Sequence, residues 1–456
     1  MLRRALVIVA FCAGVAFGSD DPASALDTVA RYARAFWDDK HEVTASLSTT
    51  VMRAAVTPEK AAALKGRLVG TNGELTGIGT PWAEDRVGEY RRFRVPLLFE
   101  RETVDLRIVL DTEGLVAGMF LVPHVDPAAA RIEAPVREQE VRIGDEKSGL
   151  PGTLSLPDGK GPFPAVVLVH GSGPHDRDEI IGPNRPFRDL AWGLAQRGVA
   201  VLRYDKRTFA DPASLAEVGA ALTVRHEVLD DARAALAALR WREEIDGTRL
   251  FVLGHSLGGT VAPRIAAIEP RPAGVIVLAG ATLPLPEKML EQMRYIAGVD
   301  GETSPEERDR IEQLESTVRT LRAALDGKGE DPAGPLLGAP IGYYRDLEQH
   351  DPPQLAAASG LPYLVLQGGR DYQVTLDDFA RWRAALGNRA NACLVVYDDM
   401  DHLFRPGKGP SRPGDYERAE PVSQRVIGDI ADWIVERRCP AEGTGDRAPA
   451  TTAPEG

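Results

Sequence analysis

Cysteine is scarce in this chain. Three residues, Cys12, Cys393 and Cys439, stand among 456, with no Cys/His spacing of the metal-binding kind around them, so zinc modules and disulfide-dense scaffolds are set aside. A surplus of positive charge is missing too. Lys plus Arg is 54 against 67 for Asp plus Glu, and 54 − 67 = −13, so the summed field repels polyanions and no nucleic-acid partner is expected. No repeat with a period of about 20 to 50 residues is conspicuous, which excludes solenoids and propellers. No apolar run reaches the roughly 20 residues of a stable membrane span. What remains is ordinary in bulk: 43% hydrophobic and 27% charged residues, in a chain long enough for an enzyme core and an accessory module.

The first segment carries Arg3 and Arg4, then thirteen mostly apolar residues from Ala5 to Phe17, and a small-residue site at Ala16-Phe17-Gly18. This pattern predicts a signal peptide over residues 1–18 and export to the periplasm or the extracellular space. A membrane anchor is disfavoured because Asp20, Asp21 and Pro22 follow too early. Lipid attachment at Cys12 is disfavoured because Phe11 stands where a lipoprotein signal has a small residue. Removal of the signal leaves Cys393 and Cys439, an even pair that forms either one disulfide or two free thiols.

Beyond the leader, Val29, Ala30, Ala33 and Phe36 keep helical spacing, and a second helix is expected over 58–68. Val104, Leu106, Ile108 and Leu110 alternate with polar residues, and Asp111-Thr112-Glu113-Gly114 turns the chain toward a second strand over 115–122. Helices followed by a strand meander predict a small α+β domain over 24–122. Three prolines and an alanine run mark a linker over 123–137.

The pattern then changes to short, nearly continuous apolar runs at 165–169, 199–204, 250–253, 275–279, 363–366 and 394–397. Helical stretches at 186–197, 224–241, 257–268, 376–386 and 421–437 lie between or after them, as in a mostly parallel sheet covered on both faces. The α/β domain is expected over 138–440, with a disordered tail at 441–456. One connection is oversized. Some 80 residues separate the strands before Thr282 and after Leu361, where a crossover needs about a dozen, so 282–361 reads as a helical cap insertion. Within it Ile311, Leu314, Val318, Leu321 and Leu325 describe an amphipathic helix.

Gly254-His255-Ser256-Leu257-Gly258-Gly259 falls where the 250–253 strand passes into a helix, the setting of a nucleophile elbow. The glycines permit the sharp reversal that holds the Ser256 hydroxyl above the sheet. A serine hydroxyl needs a base, and only His350 and His402 follow Ser256 in the order acid-then-base that such elbows use. His402 sits just past a strand end, whereas His350 precedes the next strand and reads as a surface or cap residue. The acid that orients the imidazole is expected at Asp371, on the loop Gln367-Gly368-Gly369-Arg370 after its strand. Asp398, Asp399 and Asp401 lie too near His402 in sequence and read as solvated surface carboxylates.

An oxyanion needs preorganised donors, and two backbone N–H groups are expected to supply them: Leu257 and Ser172, with Gly173 as the second choice to Ser172. His170 reads as structural. His175-Asp176-Arg177-Asp178 reads as solvated loop charge rather than as metal ligands.

These residues resemble the α/β-hydrolase superfamily over about 138–439. The string from Pro164 to Pro174, with Gly254 to Gly259, Gln367-Gly368-Gly369-Arg370-Asp371-Tyr372-Gln373-Val374 and Asp401-His402-Leu403, is similar to one group of bacterial serine carboxylesterases that carry a small N-terminal domain. The resemblance implies hydrolysis of short acyl esters through Ser256, Asp371 and His402 by way of an acyl-enzyme, with a small-molecule ester as substrate, no cofactor and no metal. Such proteins show Asp-Lys-Arg-Gly after the second long strand. Here Asp205-Lys206-Arg207 runs into Thr208, and this loop is not counted among the catalytic supports. Two alternatives stay open: a peptidase or amidase of prolyl-oligopeptidase type, which lacks its upstream propeller here, and a non-catalytic cell-surface binding protein.

Overall fold

The computed structural model describes residues 22–87, 90–124, 136–145, 148–299 and 301–440. The expected signal peptide, most of the linker and the tail lie outside the described residues. The chain forms two compact units, 1–133 and 134–456.

In the first unit the helix Pro22–Trp37 carries Val29, Tyr32, Ala33 and Phe36 on one face, three and four residues apart, all buried. A second long helix, Pro58–Asn72, starts from Thr57, whose hydroxyl accepts the Lys60 N–H. Five antiparallel strands follow: β1 (Leu75–Ile78), β2 (Trp82–Val87), β3 (Tyr90–Phe99), β4 (Thr103–Leu110) and β5 (Val116–Pro123). Both β1 and β2 pair with β3, and β4 and β5 form the expected hairpin, with Leu110 opposite Val116. Leu106, Ile108 and Leu110 alternate onto the helix-facing core with Val95 and Leu97.

Among the described residues the second unit holds eight strands: β6 (Arg137–Ile143), β7 (Leu150–Leu156), β8 (Phe163–Val169), β9 (Ala200–Tyr204), β10 (Ile245–His255), β11 (Gly274–Leu278), β12 (Tyr363–Gly368) and β13 (Ala392–Tyr397). Their order is β13-β12-β11-β10-β8-β9-β7-β6. From β9 to β13 all neighbours are parallel, while β7 runs antiparallel to both β6 and β9. Successive side chains of one strand enter different cores. Val166 and Leu168 pack with helices Pro186–Ala195 and Gln424–Glu436, and Val167 and Val169 pack with Asp230–Arg240 and Leu257–Ile265. Burial on both faces is why these strands read as unbroken apolar runs.

Between β11 and β12 the described residues form four helices, Leu285–Gly298, Pro305–Leu325, Ile341–Glu348 and Pro352–Ser359. The amphipathic stripe buries Leu314, Val318, Leu321 and Ala324, while Ile311 and Leu325 at its ends are only half-buried. Ser304 opens that helix in a reciprocal cap with Glu307. Cys393 and Cys439 are bonded, which joins β13 to the segment just beyond the last helix. Among the described residues no helix is long and apolar enough to cross a membrane.

Candidate active site

The loops that leave β8, β10, β12 and β13 at their carboxyl ends carry Ser172, Ser256, Asp371 and His402 respectively. Ser256 stands between β10 and the helix Leu257–Ile265 with φ 54° and ψ −116°, left-handed backbone that a non-glycine residue rarely adopts. Its N–H is tied to Leu278 O at 2.9 Å. The glycines around it are sterically required. A Cβ on Gly254 would stand 2.2 Å from Gly258 O, and one on Gly258 would stand 2.1 Å from Val169 O.

Asp371 and His402 meet directly. His402 Nδ1 lies 2.7 Å from Asp371 Oδ2, and both side chains are buried. Asp371 Oδ1 accepts the N–H groups of Gln373 and Val374 at 2.8 and 3.0 Å, and Oδ2 also accepts from Gln367 Nε2. Held by these donors, the Asp371 carboxylate accepts from His402 Nδ1, which leaves Nε2 on the other side of the ring without a proton.

Ser256 and His402 are linked through His255. Its Nε2 donates to the His402 carbonyl at 3.0 Å, and the two rings stand 4.7 Å apart between centroids. Its Nδ1 faces Glu179 Oε2 at 2.9 Å, while Glu179 Oε1 accepts the Gly171 N–H at 2.7 Å. Burial opposes the charge of Glu179, but the charge and hydrogen bond of His255 outweigh it and hold the carboxyl down to about 2. Burial likewise opposes a charged His255, and Glu179 outweighs it, raising the imidazole above its ordinary value. A carbonyl on one side and a carboxylate on the other make this histidine an imidazolium.

The Gly171 N–H is therefore spoken for. Among the described residues the N–H groups of Ser172 and Leu257 have no protein acceptor. The carbonyls of Gly171 and Gly173 both accept from Lys206 Nζ, at 2.8 and 3.0 Å.

Several readings of the sequence change. Asp176, Arg177 and Asp178 are not solvated loop charges: Arg177 is paired with Asp205 and Glu140, Asp178 with Arg203, and the Asp176 carboxylate accepts the Ile180 N–H. Asp401 is buried and paired with Arg405 rather than exposed, although Asp398 and Asp399 do face solvent. The Asp205-Lys206-Arg207 loop, set aside above, touches the glycine loop after β8 through its lysine. His170 Nε2 donates within its own loop, to Asp176 O at 3.0 Å, and burial lowers its imidazole to about 3. Glu179, His255 and Lys206 were missed. Glu179 closes a run of charged loop residues that looks like surface, and His255 occupies the variable position of the elbow motif.

A model of the alpha/beta hydrolase family matches residues 166–429. The chain is 39% identical to Esterase EstD of Thermotoga maritima over 361 residues, which span 76% of this chain and 80% of that protein. It is 27% identical to the monoacylglycerol lipase of Mycolicibacterium smegmatis over 194 residues, 41% of this chain and 61% of that one. Among solved structures, an esterase of Pyrococcus furiosus superposes with a TM-score of 0.41 at 17% identity, covering 62% of this chain and 88% of the other.

Proposed function

The chain belongs to the alpha/beta hydrolase family, and on that premise we propose that it is an exported serine hydrolase of carboxylic esters with short acyl chains. The observation that carries the reading is the contact between His402 and Asp371, with the His402 backbone bonded to the residue that precedes Ser256. Ester hydrolysis is favoured by the 39% identity to an esterase.

In the proposed reaction the Ser256 hydroxyl attacks the ester carbonyl carbon while His402 Nε2 takes its proton. The carbonyl electrons move to oxygen, where the N–H groups of Ser172 and Leu257 receive them. The intermediate collapses, the carbon–oxygen bond to the alcohol breaks, and the imidazolium proton leaves with the alcohol. Water then gives a proton to His402 and its hydroxyl to the acyl carbon, which releases the carboxylic acid and restores Ser256. Asp371 accepts from His402 Nδ1 throughout and so fixes the imidazole tautomer. The helical insertion over 282–361 would set access of the acyl group and exclude water during acylation.

Export is supported by the leader-like first eighteen residues and by the Cys393–Cys439 bond, which suits an oxidising compartment. The test is turnover of p-nitrophenyl acetate and butyrate against the matched anilides. Ester cleavage that disappears in Ser256→Ala supports the reading. Faster cleavage of the anilides would replace it with an amidase, and the absence of any turnover by folded protein would favour a binding role.

A further inference from the structure

Lys206 is almost wholly buried, and its three ammonium protons meet three acceptors: Gly171 O at 2.8 Å, Gly173 O at 3.0 Å and Glu227 Oε1 at 2.6 Å. Two of these are carbonyls, which can only accept, so the lysine serves them as a donor. It leaves the end of β9, and β9 lies beside β8 in the sheet, so the loops that follow the two strands stand side by side. Thr208, four residues past the strand end, adds a second donor to Gly173 O at 3.1 Å.

In a trans peptide the N–H points opposite to the C=O. Drawing the Gly171 carbonyl toward Lys206 therefore turns the Ser172 N–H away from the lysine. Gly171 itself faces the elbow, since a Cβ there would stand 3.2 Å from Ser256 Cβ. An ammonium on the carbonyl also polarises the peptide and strengthens its N–H as a donor. With its own N–H held by Glu179 and its carbonyl by Lys206, Gly171 is fixed at both ends.

We propose that Lys206 is the positioning residue of the oxyanion loop, holding the Gly171 and Gly173 carbonyls so that the Ser172 N–H is aimed and polarised for the developing negative charge. It touches no reacting atom, because none of its protons is free. Its counterion Glu227 lies on the π-helical turn Arg225–Leu229. The proposal rests on the serine-hydrolase reading.

The test compares Lys206→Met, Glu227→Gln and the double variant, reading kcat, KM and inhibition by phenylboronic acid, which forms a tetrahedral adduct on a nucleophilic serine. The single lysine variant strands a buried carboxylate, and the double variant relieves that, so a poorly folded single variant does not block the test. Loss of Lys206, alone or in the double variant, is expected to lower kcat by roughly 10- to 100-fold, weaken boronate inhibition by a similar factor and leave KM within about threefold. Glu227→Gln keeps an ammonium on both carbonyls and is expected to keep kcat within about threefold. Wild-type kcat and boronate inhibition in the double variant would overturn the proposal, as would equal losses in Glu227→Gln and Lys206→Met, which mark a merely structural ion pair. Ser256→Ala, run alongside, separates the two levels: turnover surviving there overturns the serine-hydrolase reading itself.

Discussion

His255 Nε2 donates to the His402 carbonyl at 3.0 Å, so the residue immediately before the elbow serine holds the backbone of the histidine proposed to activate it. The other face of His255 is an ion pair with Glu179, and both are buried. Placement of the two loops therefore depends on a charged pair rather than on apolar packing alone.

That dependence gives a pH window. His255 is raised in the folded state, so its contribution is complete below its unfolded value of about 6.5 and is lost as pH rises through the folded one. Glu179 is lowered to about 2, so its contribution is complete above its unfolded value and is lost as pH falls through about 2. Glu179→Gln is expected to cost about 3 kcal/mol of unfolding free energy between roughly pH 4.5 and 6.5, with the difference from wild type narrowing outside that window. Urea unfolding at several pH values checks it, and a pH-independent difference would contradict the assignment.

Asp371→Asn replaces the acceptor of the His402 Nδ1 proton with a group whose amide donates. The tautomer is then no longer fixed, and kcat for ester hydrolysis at neutral pH is expected to fall by about 10³- to 10⁴-fold with KM little changed. Steady-state kinetics on the folded variant decide this, and a loss below about tenfold would remove Asp371 from its proposed role.

Two glycine-to-alanine changes should move stability in opposite directions. In Gly258→Ala the new Cβ would meet Val169 O at 2.1 Å, backbone against backbone in the central sheet, and a cost of at least about 3 kcal/mol is expected. Gly66 lies on the exposed side of the helix Pro58–Asn72 with nothing within 4 Å of a new Cβ, and Gly66→Ala should gain up to about 1 kcal/mol. Calorimetric unfolding of both variants provides the comparison.

Strands β8 to β12 were legible because their apolar runs are buried on both faces, and β13, half-buried on one face, still packs apolar residues on both. The hairpin of β6 and β7 was not. Arg137, Glu138, Gln139, Glu140 and Arg142 fill an edge strand whose charges leave no hydrophobic pattern to read. Ser256, Asp371 and His402 could be picked out because each follows a recognisable strand end. Glu179 and Lys206 could not, since a buried charge declares itself only through the partner that satisfies it, and those partners are a histidine 76 positions away and the carbonyls of another loop.

The Cys393–Cys439 bond closes a segment of 46 residues. By loop-closure entropy it should contribute about 4 kcal/mol, lost in the double Cys-to-Ser variant and on reduction in unfolding assays. Activity at 25 °C should be unchanged, because neither cysteine belongs to the loops at the carboxyl edge that carry Ser256, Asp371 and His402. An unchanged melting temperature under reducing conditions would contradict the bond's stabilising role.

Covalent labelling reads the central claim most directly. Folded protein treated with a fluorophosphonate and mapped by mass spectrometry should carry one adduct, on the peptide containing Ser256, formed in proportion to the loss of esterase activity. Modification absent from Ser256 while ester hydrolysis is fully inhibited, or hydrolysis undiminished with Ser256 fully labelled, would contradict it.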